Sequence, residues 1–163
     1  MIRKANQTDL PPLVAIYNQA ITSRCCTGDT ACLRIEERLP WFESHENPKT
    51  PIFVYEIASQ VVAYSSISPY RPGRQAFERV GEVSYYVDFH HHGKGIGKQM
   101  LAHLMIEAKK AGYIHLLAII LDCNVKSASL LRKFGFSLWG KLPNIANIDD
   151  KYYSHLYYGL TLS

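Results

Sequence analysis

The sequence predicts one mixed α/β domain, α+β-like in the order of its elements, and three observations carry that reading. Three strand-like segments follow one another between residues 52 and 87 with no helix separating them, so the middle of the sheet is antiparallel. One strand–helix–strand unit comes next, across Phe77–Val87, Ile96–Lys110 and His115–Leu121. A chain of 163 residues with no internal repeat, low-complexity tract or linker fits a single core that needs no staples. A doubly wound parallel sheet is excluded, because the central strands lack intervening helices.

Each element has its own signal. Ile2–Ala5 reads as a short strand. Thr8 or Asp9 is placed to cap a helix with Pro11 and Pro12 in its first turn, where proline is tolerated, and Leu13, Ile16, Tyr17 and Ala20 repeat at helical spacing. Ser23–Ala31 reads as a loop, and Leu33–His45 as a helix that Pro40 breaks or kinks. Ile52–Ile57 and Val61–Ser68 are strand-like, the polar stretch Pro69–Gln75 connects, and Phe77–Val87 is the third strand. Ile96, Met100, Leu104, Met105 and Ala108 share one apolar face of a helix running to Lys110, and Gly112 suits its C-terminal cap. After the buried strand His115–Leu121, Asn124 caps a helix that turns Ala128, Leu131 and Phe134 inward and ends at Gly135. Strands Phe136–Lys141 and Tyr152–Leu162 finish the chain, their Tyr152, Tyr153, Tyr157 and Tyr158 forming strand core or a dimer face.

Composition narrows the function. Apolar residues are 47% and charged residues 20%, ordinary globular usage, and the net charge is only +4. The basic residues are scattered, so a small anionic ligand explains the excess and no nucleic-acid stripe is expected. The longest apolar run, Leu116–Leu121, is too short for a bilayer, and the N-terminus has no apolar signal region, so a cytoplasmic protein is expected. Cys25, Cys26, Cys32 and Cys123 fit no zinc or haem spacing and read as free thiols. His90-His91-His92 could suggest a metal. Consecutive residues alternate faces, however, and no carboxylate or cysteine completes a site, so no metal is expected.

The segment His92-Gly93-Lys94-Gly95-Ile96-Gly97-Lys98 lies between a strand and an amphipathic helix. Alternate glycines permit unusual dihedrals and close ligand approach. The free N–H groups of the new helix, with its dipole behind them, make an anion site suited to pyrophosphate. As a dinucleotide fingerprint the pattern fails, with Lys98 or Met100 where the last glycine belongs, and as a P-loop it lacks Gly-Lys-Ser/Thr. A purely structural turn and an anion cradle remain, and the cradle accounts better for three glycines.

With these residues in hand, the chain resembles the GCN5-related N-acetyltransferases. Their central motif, Gln/Arg-x-x-Gly-x-Gly/Ala after a bulged strand, is matched by His92–Gly97 with His in first place. Their second cofactor motif, an Asn opening a helix that ends in Gly-Phe, is similar to Asn124–Phe136. Ile2-Arg3 through Asn18, Trp41-Phe42 and Glu82-Val83-Ser84-Tyr85-Tyr86-Val87 further resemble the phosphinothricin and methionine sulfone/sulfoximine acetyltransferases. The resemblance implies a mostly antiparallel central sheet, flanked by helices and splayed between the strands before and after the glycine-loop helix. It also implies acetyl-CoA as co-substrate, a small amino-acid-like amine as acceptor and a homodimer. Another acetylated amine, such as a peptide or an antibiotic, and a non-catalytic acyl-CoA-binding module are the alternatives.

Acetyl transfer to an alkyl ammonium needs a base, oxyanion donors and a proton for the departing thiolate. The resemblance carries the base onto Glu82, acting through a raised pKa or a relaying water; the bland reading is a surface Glu paired with Arg79. It lays the acetyl-pantetheine arm along the backbone of Tyr85, Tyr86 and Val87, and the pyrophosphate on His92, Gly93, Lys94, Gly95, Ile96, Gly97 and Lys98. Asn124 and Ser127 meet the pantetheine, although Asn124 is equally a plain N-cap. The acceptor falls to Val83, Ser84 and the segment Arg71-Pro72-Gly73-Arg74, where Arg71 or Arg74 clamps a carboxylate. Leu131 stands where the resemblance implies a Tyr or His as thiolate acid, and Tyr152-Tyr153-Ser154 replaces the subgroup's Trp-Leu-Asp.

Overall fold

The computed structural model describes residues 1–163. Its elements are β1 (Ile2–Lys4), α1 (Leu10–Thr22), α2 (Ile35–Glu43), β2 (Ile52–Ile57), β3 (Gln60–Pro69), β4 (Val80–Val87), α3 (Ile96–Lys110), β5 (His115–Leu121), α4 (Val125–Lys133), β6 (Ser137–Ile148) and β7 (Lys151–Thr161). The strands form one sheet in the order β1-β2-β3-β4-β5-β7-β6, as a mixed α/β domain requires. Every neighbouring pair is antiparallel except β4–β5.

That parallel pair decides the shape of the site. β3 follows β4 from Gly81 to Val87, but β5 stays in register with β4 only over Val80–Glu82, opposite His115–Leu117. Beyond Glu82 the two strands part, and the β5-facing edge of Val83–Val87 has no strand beside it. The splay begins at the one carboxylate of β4.

The sheet is covered on both faces. On one, α3 and α4 bury Met100, Leu101, Leu104 and Leu131 against Val83 and Leu116. On the other, α1 and α2 bury Leu13, Ile21 and Phe42 against Val54 and Tyr64. Arg3 ties the N-terminal strand down with a bidentate bond to Asp9 at 2.7 and 2.9 Å and a bond to Glu56 at 2.9 Å.

Several sequence expectations are corrected. Asp9, not Thr8, is the N-cap residue of the first helix, but its side chain makes no capping bond there. A 3-10 turn over Gln7–Asp9 precedes it, capped by Asn6 in a reciprocal box with Asp9, which is otherwise spent on Arg3. Pro40 does not break α2: it loses one backbone bond in a short helix that continues to Glu43. The third strand starts at Val80, because Gln75–Phe77 forms a 3-10 turn. β6 runs seven residues past Lys141, to Ile148, and meets β7 at Asp149-Asp150, both at positive φ. Cys25 and Cys123 are not free thiols. The loop after α1 brings them to a Cα–Cα distance of 5.8 Å as a disulfide, while Cys26 and Cys32 stay free.

Candidate active site

Two clefts meet at the splay. The strand's alternation distributes β4 between them: Glu82, Ser84 and Tyr86 face one cleft, while Val83, Tyr85 and Val87 pack toward α3. The first cleft, of about 420 Å³, is walled by α1, α2, β3, β5 and the loop after α1. The second, of about 410 Å³, runs from Tyr85–Val87 along the glycine loop to Asn124. Tyr86 and Cys26 line both, so they mark the junction.

The second cleft could hold an anion and an extended amide chain. Gly93 and Gly95 hold φ of 77° and 75°, the left-handed region in which a side chain is strained. That conformation starts α3 abruptly. Its first internal bond is Gln99 N–H to the Gly95 carbonyl, which leaves the Ile96, Gly97 and Lys98 amides without a carbonyl one turn back. Lys98 and Lys126 add positive charge, while Lys94 is exposed outside the lining. Asp88 caps the turn before the loop by accepting from His90 N–H at 2.9 Å. Gln19 of α1 clamps the same turn, donating to Asp88 at 2.8 Å and accepting from Phe89 N–H at 2.9 Å. His92 donates from Nε2 to the Val87 carbonyl at 2.9 Å, so its ring closes the end of the free strand edge.

At the α4 end, Asn124 Oδ1 accepts from Ser127 N–H at 3.2 Å, and Tyr85 donates to Ser127 Oγ at 3.2 Å. The N-cap thus uses only the amide oxygen, and the Asn124 Nδ2 donors remain for a ligand. The open edge of Val83–Val87, the left-handed glycines and Asn124 together fit the pantetheine and pyrophosphate of a coenzyme A thioester.

In the first cleft, Glu82 makes no ion pair and no side-chain hydrogen bond; Arg79 instead donates to the Gly112 carbonyl at 3.2 Å. Burial alone raises the Glu82 pKa above its ordinary value, which suits a base working near neutrality. Ser66, Ser68 and Ser84 share the same wall.

The whole chain is similar to known proteins in sequence and structure. A family model for the acetyltransferase (GNAT) family matches residues 16–136. The chain belongs to that family. A Bacillus subtilis protein provisionally named a phosphinothricin acetyltransferase is 37% identical over 99% of both chains. The L-methionine sulfoximine/L-methionine sulfone acetyltransferase of Pseudomonas aeruginosa is 32% identical over 88% of this chain and 84% of its own. Among solved structures, a Salmonella typhimurium chain provisionally named an acetyltransferase, solved with its cofactor acetyl-CoA, superposes with a TM-score of 0.94 at 27% identity. It covers all of this chain and 94% of its own. The chain is an acetyl-CoA-dependent N-acetyltransferase.

Within this acetyltransferase, the residues assigned from sequence separate into two groups. Glu82, Ser84, Tyr85, Tyr86 and Val87 lie on the clefts, as do His92, Gly93, Gly95, Ile96, Gly97, Lys98, Asn124 and Ser127. Arg71, Pro72, Gly73 and Arg74 are exposed on the β3–β4 connection and line neither cleft, and Val83 is buried in the core. Leu131, on the inner face of α4, is wholly buried in the core and lines neither cleft. Sequence reasoning missed Arg38, Cys26 and the His45–Ser68 pair in or beside the first cleft. Nothing in their spacing relates them to Glu82.

Proposed function

We propose that the acceptor is the primary amine of a small amino-acid-like compound of the phosphinothricin, methionine sulfone or methionine sulfoximine type, acetylated by direct attack in a ternary complex. One observation carries the reading: the cleft holding the unpaired Glu82 opens onto the cofactor cleft where β4 and β5 part. The named substrates of similar acetyltransferases supply the acceptor class.

Acetyl-CoA supplies the acetyl group as a thioester, whose carbonyl carbon is the electrophile. The exposed edge of Tyr85–Val87 offers backbone groups to the pantetheine arm, as an added strand would use them. Gly93–Lys98 hold the pyrophosphate. Glu82 takes a proton from the bound ammonium, directly or through water, and so frees the nitrogen lone pair that forms the new C–N bond as the C–S bond breaks. The raised Glu82 pKa narrows its mismatch with the amine. Leu131 has no proton to give, so the sulfur departs as a thiolate, which the ordinary acidity of a thiol permits, and takes its proton from solvent.

The enzyme acts in the cytoplasm as a homodimer on this reading. Leu138, Trp139, Leu142, Ile145 and Tyr152 leave an apolar patch exposed on the β6–β7 hairpin, which a second copy would cover. The decisive experiment measures thiol release with a panel of amines. Turnover of methionine sulfone, with peptides and aminoglycosides inert, supports the acceptor assignment; turnover of peptides alone overturns it. Sedimentation of a monomer at micromolar concentration would refute the dimer.

A further inference from the structure

Arg38 of α2 stands in the wall of the acceptor cleft with Glu82. Its guanidinium carbon lies 3.8 Å from the centroid of the Trp41 ring and 4.4 Å from that of Tyr17. Two aromatic faces therefore fix its plane, as cation–π contact favours, and leave its in-plane donors free to bind. No carboxylate takes them. Arg3, Arg24 and Arg34 each pair with a carboxylate, whereas Arg38 enters no ion pair, and its Nε is buried without a hydrogen-bond partner. The buried Tyr64 hydroxyl is the polar protein group beside Arg38, and it carries no charge to answer the guanidinium. A neutral phenol leaves the charge of Arg38 unbalanced in the cleft wall, so the arrangement calls for an anion from outside the chain.

The charges of the cleft say what that acceptor is. Among its lining residues Glu82 is the one carboxylate and Arg38 the one permanent cation. Burial holds His155 toward its neutral form. A ligand carrying both an ammonium and a carboxylate meets a partner for each, while a plain amine leaves Arg38 unanswered. Arg71 and Arg74, the sequence candidates for this task, lie exposed outside the lining.

We infer that Arg38 anchors the carboxylate of the acceptor, so that the enzyme selects amines bearing a carboxylate over amines without one. The inference deepens the proposed function and rests on its placement of the acceptor amine beside Glu82.

The test compares methionine sulfone with its primary amide, which keeps the amine and removes the anionic charge. Binding is read from Trp41 fluorescence in the CoA-saturated protein, with Trp139→Phe removing the only other tryptophan. Turnover is read as kcat/KM. Charge-assisted hydrogen bonds predict a preference for the acid of about 10- to 100-fold, which Arg38→Gln should largely abolish by weakening the acid far more than the amide. Arg38→Lys should restore part of the gap. Equal binding of acid and amide by the parent protein would overturn the inference. So would equal weakening of both ligands by Arg38→Gln, or a gap closed by Arg71→Gln or Arg74→Gln instead. If no amine is turned over but the Arg38-dependent preference for the acid persists in binding, the proposed acceptor chemistry fails while the anion site stands.

Discussion

His45 Nε2 lies 3.0 Å from Ser68 Oγ, and the other ring nitrogen settles which of them donates. Nδ1 is 2.7 Å from the Trp41 carbonyl, which can only accept, so Nδ1 carries the hydrogen. Burial lowers the His45 pKa, so the ring is neutral and Nε2 is an acceptor. Ser68 must therefore donate its hydroxyl hydrogen to His45, leaving its lone pairs toward the acceptor cleft it lines, opposite Glu82 in register. With the acceptor amine beside Glu82 as proposed, His45 would be a positioning residue that makes Ser68 an acceptor for the substrate ammonium or a relaying water. His45→Leu and Ser68→Ala should each lower kcat/KM about 5- to 10-fold, the worth of one hydrogen bond of ~1 kcal/mol. The double variant should lose no more than either single one. Additive losses would separate the two residues.

Glu82 sets catalysis against stability. Its folded-state pKa lies above the unfolded value, so between the two the folded protein holds a proton that the unfolded chain has released. Stability from this group is intact below the unfolded pKa and declines as pH rises through the folded one. Glu82→Gln should therefore cost about 10²- to 10⁴-fold in kcat, the usual worth of a general base, while raising the melting temperature at pH 8 but not at pH 4. Parent activity should rise with pH through the raised pKa. A variant less stable at pH 8 would contradict the burial argument.

Gly95 and Gly97 are needed for different reasons. An added Cβ at Gly95 would touch nothing, but its φ of 75° penalises any L side chain by roughly 1–2 kcal/mol. At Gly97, inside α3, a Cβ would make only ordinary contacts, 3.7 Å from Leu130 and 3.8 Å from Val87. Calorimetric titration with CoA should show Gly95→Ala binding about 10-fold more weakly and Gly97→Ala little changed. The reverse ranking would mean that close approach of the ligand at Gly97, rather than the left-handed turn, governs affinity.

The contrast between those glycines and Arg38 shows what the sequence makes legible. The glycine loop, the Asn124 cap and the alternation of Glu82, Ser84 and Tyr86 are local patterns, each readable within a dozen residues. The wall facing Glu82 is assembled from α2, the loop after α1 and β3, whose relation exists only after folding. Arg38 sits in a charged stretch, Ile35-Glu36-Glu37-Arg38, that reads as solvated surface. The full length of β6 was hidden by Pro143, which argues against a strand. At the sheet edge, beside a register shift between Leu142 and Ala146, proline costs no ladder bond.

The Cys25–Cys123 bridge spans 98 residues and ties the loop bearing Cys26, Thr27 and Gly28, part of the acceptor wall, to the residue before Asn124. Closing a loop of that length stabilises by up to about 4–5 kcal/mol in the chain-entropy account. Alkylation of the unreduced, denatured protein should label two cysteines, and of the reduced protein four. Reduction should lower the melting temperature and raise KM for the acceptor more than for acetyl-CoA. A cytoplasmic pool would favour the reduced form, so the two states should both be assayed. Four labelled cysteines without reductant would remove the bridge.

Gly159 of β7 is another position where a missing side chain matters. It pairs with Ser137 across the hairpin, and a Cβ there would fall 2.0 Å from two atoms of the Trp139 ring. The indole packs against the glycine, and its Nε1 donates to Ser137 Oγ at 3.1 Å. Since Trp139 is 50% exposed, it can swing away when a methyl group intrudes, giving up this packing without unfolding the hairpin. Gly159→Ala should therefore destabilise by about 1–2 kcal/mol, within the range for overpacking. Tryptophan emission should shift toward that of a solvated indole. In a Trp139→Ala background the same substitution should cost little, because the atoms it displaces are gone. A full penalty in that background would place the cost in the strand backbone, and the ring would then not be the reason for glycine at 159.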